Sequence, residues 1–240
     1  MPTPDSVVPF RLAYVPGVTP GKWVTIWKDR RPDTPIELIP LDVADCADAM
    51  GAGSIHMAIT RLPDALAHGS PGPHHTIELY TEKTVVVVPK DHLFTAANEV
   101  DLNDLAGEPI LRPLDESIAI PQLTDAALDH RPETTGDAVE LAAAGIGVLV
   151  VPQSLARLHH RKDLTYRPVS DAPSGAVGLL WPDPTSDDAD EFIGIVRGRK
   201  ATSSRGNSTP PPKRSAKEKA AAKRARREAT TNNRGRGPRR

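Results

Sequence analysis

The 240-residue chain is predicted to be an α/β protein in two regions, a folded body up to Val196 and an unstructured basic tail from Arg197 to Arg240. Three observations predict this. Short apolar strands alternate with amphipathic helical stretches, the pattern of parallel crossovers. Charge is segregated: 16 of the 30 Lys and Arg residues, but only Glu218 and Glu228 among the 31 acids, lie from Arg197 onward. A formal net charge of -1 therefore conceals a tail of +14 and a body of -15. Finally, apolar periodicity stops at Val196.

The first strand is FRLAYV, Phe10 to Val15, ended by Pro16 and Gly17. A helix follows with Thr19 as N-cap, Pro20 in the first helical position and Arg30 and Arg31 in its last turn before Pro32. Trp23, Ile26 and Trp27 recur at helical spacing, which assigns both tryptophans to a core face. Next come a strand IELIPL, a short helix from about Asp45 to Gly51 or Gly53, and a strand IHMAIT ending at Arg61. TVVVVP from Thr84 is apolar without alternation, as a strand buried on both faces should be.

DLNDLAGEPIL reads as a helical turn leading into a strand, and Gln122 to His130 as a helix. In the stretch that follows, Thr135 is placed as cap of a helix from Gly136 to Ala144, Gly145 ends it, VLVVP is a buried strand and Ser154 begins another helix. A strand AVGLLW and an apolar helix DEFIGIV close the body.

Composition narrows the function classes. Cys46 is the only cysteine, so one chain can build neither an internal disulfide nor a cysteine-based metal site. The start lacks a basic segment followed by an apolar run, and no stretch of about 18 apolar residues occurs, so no membrane association is expected and the chain is assigned to the cytoplasm. There is no nucleophile elbow, phosphate-cradling glycine loop or zinc-protease string, so neither catalysis nor a cofactor is expected. The pairs His74-His75 and His159-His160 lack neighbouring acids or cysteine at ligand spacing, and adjacent strand residues point to opposite faces, which argues against metal.

FRLAYVPGVTP, SIHMAITRLP, LYTEKTVVVVPKDHLFTAANEVDLNDLAGEPIL and AVELAAAGIGVLVVPQSLA, in that order, resemble the effector-binding domain of LysR-type transcriptional regulators. The resemblance spans Val8 to Val196. It implies the two-lobed periplasmic binding protein type 2 fold, with residues 8–83 and 170–196 forming the first lobe, 84–169 the second, and 197–240 left as the tail. It also implies a small-molecule effector between the lobes, a part in transcription regulation, and a homodimer. Family members begin with a winged helix-turn-helix and linker helix, whereas here the first strand starts at Phe10, so the expectation is an effector domain without that DNA reader.

Within that fold two turns are expected at the cleft. Gly17, Val18 and Thr19 open the first helix, and Thr134, Thr135 and Gly136 open a helix in the second lobe. Helix N-termini favour small anions, although each threonine can equally serve only as a cap. Arg61, with Leu62 after it, stands at a strand end, where it can either pair a ligand carboxylate or form a surface salt bridge. Gly145 and Gly147 read as structural. In the tail, Lys213, Arg214, Lys217, Lys219, Lys223, Arg224, Arg226 and Arg227 form a run without aromatics, suited to salt-sensitive, sequence-independent phosphate contacts on nucleic acid. The same charge can instead neutralise the acidic body.

Overall fold

The computed structural model describes residues 8–62, 74–124 and 126–199. Two mixed sheets organise them. The first has strand order β2-β1-β3-β9-β4, built from β1 (Phe10–Tyr14), β2 (Ile36–Pro40), β3 (Met57–Arg61), β4 (His74–Glu82) and β9 (Gly175–Pro182). β1 runs parallel to β2 and β3, the crossovers being α1 (Gly21–Arg30) and α2 (Asp45–Gly51), while β9 is antiparallel to both β3 and β4. The second sheet has the order β6-β7-β5-β8, from β5 (Thr84–Pro89), β6 (Ile110–Leu111), β7 (Val148–Pro152) and β8 (Leu164–Pro168). Its helices are α3 (Leu102–Leu105), α4 (Thr135–Ala143) and α5 (Gln153–Leu158), and α6 (Asp187–Val196) packs with the first sheet. Among the described residues no helix is long and apolar enough to cross a membrane.

Each sheet has its own apolar packing. In the first, Trp27 is fully buried, stacked on Phe10 at 4.6 Å, and its indole N–H donates to the Thr34 carbonyl at 2.9 Å. That bond satisfies the one polar atom such a burial would otherwise strand. Trp23 is half-buried against the same cluster. In the second sheet β5 is buried on both faces, and strand alternation sends Val85 and Val87 to one core and Val86 and Val88 to the other. β5 is antiparallel to both of its neighbours, so its two-faced burial comes from helices and turns on either side rather than from parallel crossovers.

Several expected boundaries move. α1 starts at Gly21 with Pro20 as its N-cap, because Pro20 O accepts from Trp23 and Val24 N–H, and Thr19 lies outside the helix. The α4 cap is Thr134, not Thr135: the Thr134 hydroxyl accepts from Asp137 N–H and the Asp137 carboxylate accepts from Thr134 N–H. The helix expected over Gln122 to His130 is absent. Only the 3-10 turn Pro121–Leu123 forms, and the chain after it runs beside β6, with Leu128 N–H donating to Ile110 O. Pairing with a sheet edge satisfies the backbone groups a helix would have used internally. β4 and β8 are strands beyond those expected from the sequence. β4 shows its pattern weakly, since only Ile77 and Leu79 pack on the core while its other face is polar. Beyond Val196 the chain stays fastened: Arg199 N–H donates to Gly194 O, its carbonyl accepts from Arg30, and its guanidinium lies 3.6 Å from Asp190. The boundary expected at Arg197 therefore falls inside contacted structure, and the named tail residues Lys213 to Arg227 lie outside the described residues.

Candidate functional site

The two sheets are joined by short crossings. Lys83 alone separates β4 from β5, and residues 169–174 lead back from β8 to β9. Beside these crossings the carboxyl ends of β1 and β3 meet the start of α5. After β1 the chain turns at Gly17, with a φ of +84° that L side chains rarely adopt. A Cβ there would also lie 2.7 Å from Ser154 Oγ, so this turn and α5 are in direct contact. Val18 is buried and Thr19 exposed.

Arg61 ends β3 and is only 2 % exposed, so the surface salt bridge allowed by the sequence does not form. Its Nε donates to Glu82 Oε2 at 3.0 Å, and one terminal nitrogen donates to Pro16 O at 3.1 Å and Ser154 Oγ at 3.0 Å. Glu82 is itself buried at the end of β4. The guanidinium thus ties together the β1 turn, the chain crossing at residues 82–84 and the first turn of α5. A carboxylate does pair with Arg61, but it belongs to the protein. Leu62 is half-buried over Gly178 of β9, where an added Cβ would come within 2.5 Å of it.

The second predicted turn is also largely occupied from within. Thr135 is buried, and both its N–H and its hydroxyl donate to Asp115, at 3.0 and 2.9 Å. Thr134 and Asp137 close the capping box, so two carboxylates already stand at the N-terminus of α4, and Gly136 sits beside the His159 ring. The loop carrying Asp115 is braced by Arg131, which donates to the carbonyls of Arg112 and Pro113, and by a forked Arg112–Glu116 pair. It leaves Leu114 62 % exposed beside Asp115. By contrast, α1 has no side-chain cap and no acid in its first turn, where Lys22 is exposed. Among the described residues no group of three or more His, Cys, Asp or Glu is placed to hold a metal.

The sequence carries no signal for Glu82, Asp115 and Arg131 at this site, and marks Ser154 only as a helix start. Each acts on a partner 18 or more residues away, across a crossing or a loop, which local spacing does not encode.

Residues 11–201 match the profile of the LysR substrate binding domain, which is most of the chain. The chain belongs to that family. Solved structures carry the same architecture, and the LysR substrate-binding body has the type 2 periplasmic binding protein fold. An OxyR cysteine variant from Corynebacterium glutamicum aligns with a TM-score of 0.64 at 20% identity, over 79% of this chain and 63% of that one. The BenM effector-binding domain with its effector benzoate gives 0.63 at 21%, over 79% of this chain and 90% of that one. A full-length OxyR variant from Pseudomonas aeruginosa gives 0.60 at 17%, over 80% of this chain and 72% of that one. At such identities the likeness is one of fold, and this LysR-family chain spans less than two thirds of the Corynebacterium OxyR chain. No curated protein matches its sequence.

Proposed function

We propose that the chain is a ligand-binding regulatory domain whose small, anionic effector sits between two lobes, 8–83 with 170–196 and 84–169, and alters their closure. The observation that carries this reading is the uncapped N-terminus of α1, reached through the Gly17-Val18-Thr19 turn where that turn touches Ser154. Free N–H groups, the helix dipole and Lys22 all favour negative charge there. The α4 turn plays a different part from the one its sequence suggested. With Asp115 and Asp137 in place it repels an anion, so the anionic end belongs at α1 and the apolar body of the ligand against Leu114. An effector that binds the closed form more tightly shifts the lobes toward it, and this is the signal passed to transcription.

Calorimetry with small carboxylates, beginning with benzoate, tests the reading. One or more should bind, and Thr19→Ala and Lys22→Ala should each weaken binding several-fold while leaving the melting temperature unchanged. If no carboxylate binds, or both variants bind as the unsubstituted chain does, the anion assignment is lost. Arg61→Ala is unsuited to this purpose because its guanidinium is buried in the fold. A homodimer belongs to the same proposal, with sedimentation as its measure. A second reading, nucleic-acid contact through the tail, rests on the concentration of 16 basic residues from Arg197 onward.

A further inference from the structure

The first sheet has a second feature at the end opposite Arg61. Where the chain leaves α2 and enters β3, Gly53 turns with a φ of +66° and Ile55 and His56 lead into the strand. β9 runs antiparallel to β3, so its carboxyl end, Pro182, arrives at the same edge, followed by the start of α6. Between these segments lies a cavity of about 180 Å³, lined by Met50, Ile55, His56, Pro182, Ser186 and Ala189 among others. Met50, Ile55 and Ala189 are all at least nine-tenths buried, so this part of the wall is apolar.

His56 gives the cavity its polarity. Its Nδ1 accepts from Arg11 N–H at 2.9 Å, which places the proton of the neutral ring on Nε2. Phe10 stacks on the imidazole with ring centroids 5.5 Å apart, fixing its orientation. Burial, reinforced by the positive charge of Arg11, lowers the imidazole pKa from its usual value, while the Asp188 carboxylate acts the other way. Among the described residues nothing accepts from Nε2–H. Ser186 Oγ accepts from Ala189 N–H as the α6 cap, leaving its own O–H to donate. The Arg11 guanidinium donates to the carbonyl of Gly53, another residue of the cavity wall, at 2.7 Å.

An apolar cavity of roughly 150 Å³ is enough to take benzene. One of about 180 Å³ has room for a single ring with a small substituent. We propose that this cavity is a second small-molecule site, which takes one uncharged, ring-sized compound carrying a hydrogen-bond acceptor, with His56 Nε2–H as the donor. It lies at the far end of β3 from Arg61 and Gly17 and shares no residue with the interlobe junction.

The test uses the full chain labelled with nitrogen-15 and titrated with acetophenone, with ethylbenzene of the same shape but no acceptor, and with benzoate. Acetophenone should move the amide signals of Ile55, His56 and Ala189, leave those of Gly17 and Thr19 in place, and bind about five-fold more tightly than ethylbenzene, the value of one net hydrogen bond. His56→Asn keeps an acceptor for Arg11 N–H, and its own amide donor sits a bond short of the Nε2 position, so it should remove most of the preference for acetophenone. Ala189→Leu should fill the cavity and abolish both responses. The proposal is overturned if neither ring compound moves these signals, if both bind Ala189→Leu unchanged, or if most of the preference for acetophenone survives His56→Asn. Should either variant lose its dispersed spectrum, the titration of the unsubstituted chain decides, and shifts centred on Gly17 and Thr19 would refute a separate site.

Discussion

Arg61 shows how a single residue changes meaning between sequence and structure. As the last residue of a strand it suggested an open ligand contact, and its class as a long cation suggested exposure. It is instead a buried tie whose charge is matched by Glu82, both side chains at 4 % exposure or less. Breaking such a pair from one side leaves an unpaired buried charge, so Arg61→Ala and Glu82→Gln should each cost about 3–5 kcal/mol in urea unfolding. The double change Arg61→Met with Glu82→Leu should recover most of that loss. Single costs below about 1 kcal/mol would show the pair to be solvated. Gly17 was more legible, because a glycine between Pro16 and a helix announces a turn. That the missing Cβ also makes room for Ser154 depended on α5, more than 130 residues later in the chain.

At the scale of elements, strands with a continuous apolar run were legible and those with one wet face were not. TVVVVP and VLVVP appear as read, while β4, carrying His75, Thr76, Glu78 and Tyr80 on exposed positions, was passed over. The start of α4 moved by one residue because its cap is decided by which side chain reaches an N–H, and two adjacent threonines compete there. Thr134 closes the capping box and Thr135 turns to Asp115. Thr134→Ala should therefore lower stability by about 1 kcal/mol, measured by chemical denaturation, whereas a neutral result would mean that Asp137 alone holds the helix start. The helix expected from Gln122 to His130 was lost to the exposed edge of β6, which offered the backbone an alternative set of partners.

For the whole molecule, the interleaved order of segments is the decisive feature: the first sheet takes β9 from near the end of the body, and residues 84–168 carry the second sheet in between. In the proposed closure, the short crossings at Lys83 and 169–174 are the places that would absorb the movement. The charge division is the other whole-chain property. If the basic segment contacts nucleic acid, the full chain should retard a DNA duplex with a steep loss as salt rises, and a chain ending at Arg199 should not. Equal retardation by both would assign DNA contact to the body. Ending at Arg199 rather than Val196 keeps the contacts that Arg199 makes with Asp190 and Gly194.

The strands with continuous apolar runs and the helices between them, the core tryptophans, the two-region charge pattern and the family itself were determined by the sequence, because each is written in local periodicity, composition or contiguous strings; β4, β8 and the loss of the helix after Leu123 were not. The state of the candidate site was decided only by tertiary structure. Arg61 is spent on Glu82, the α4 terminus is filled by Asp115, and the α1 terminus is left open, since long-range pairing, rather than residue type, determines which polar groups remain for a ligand.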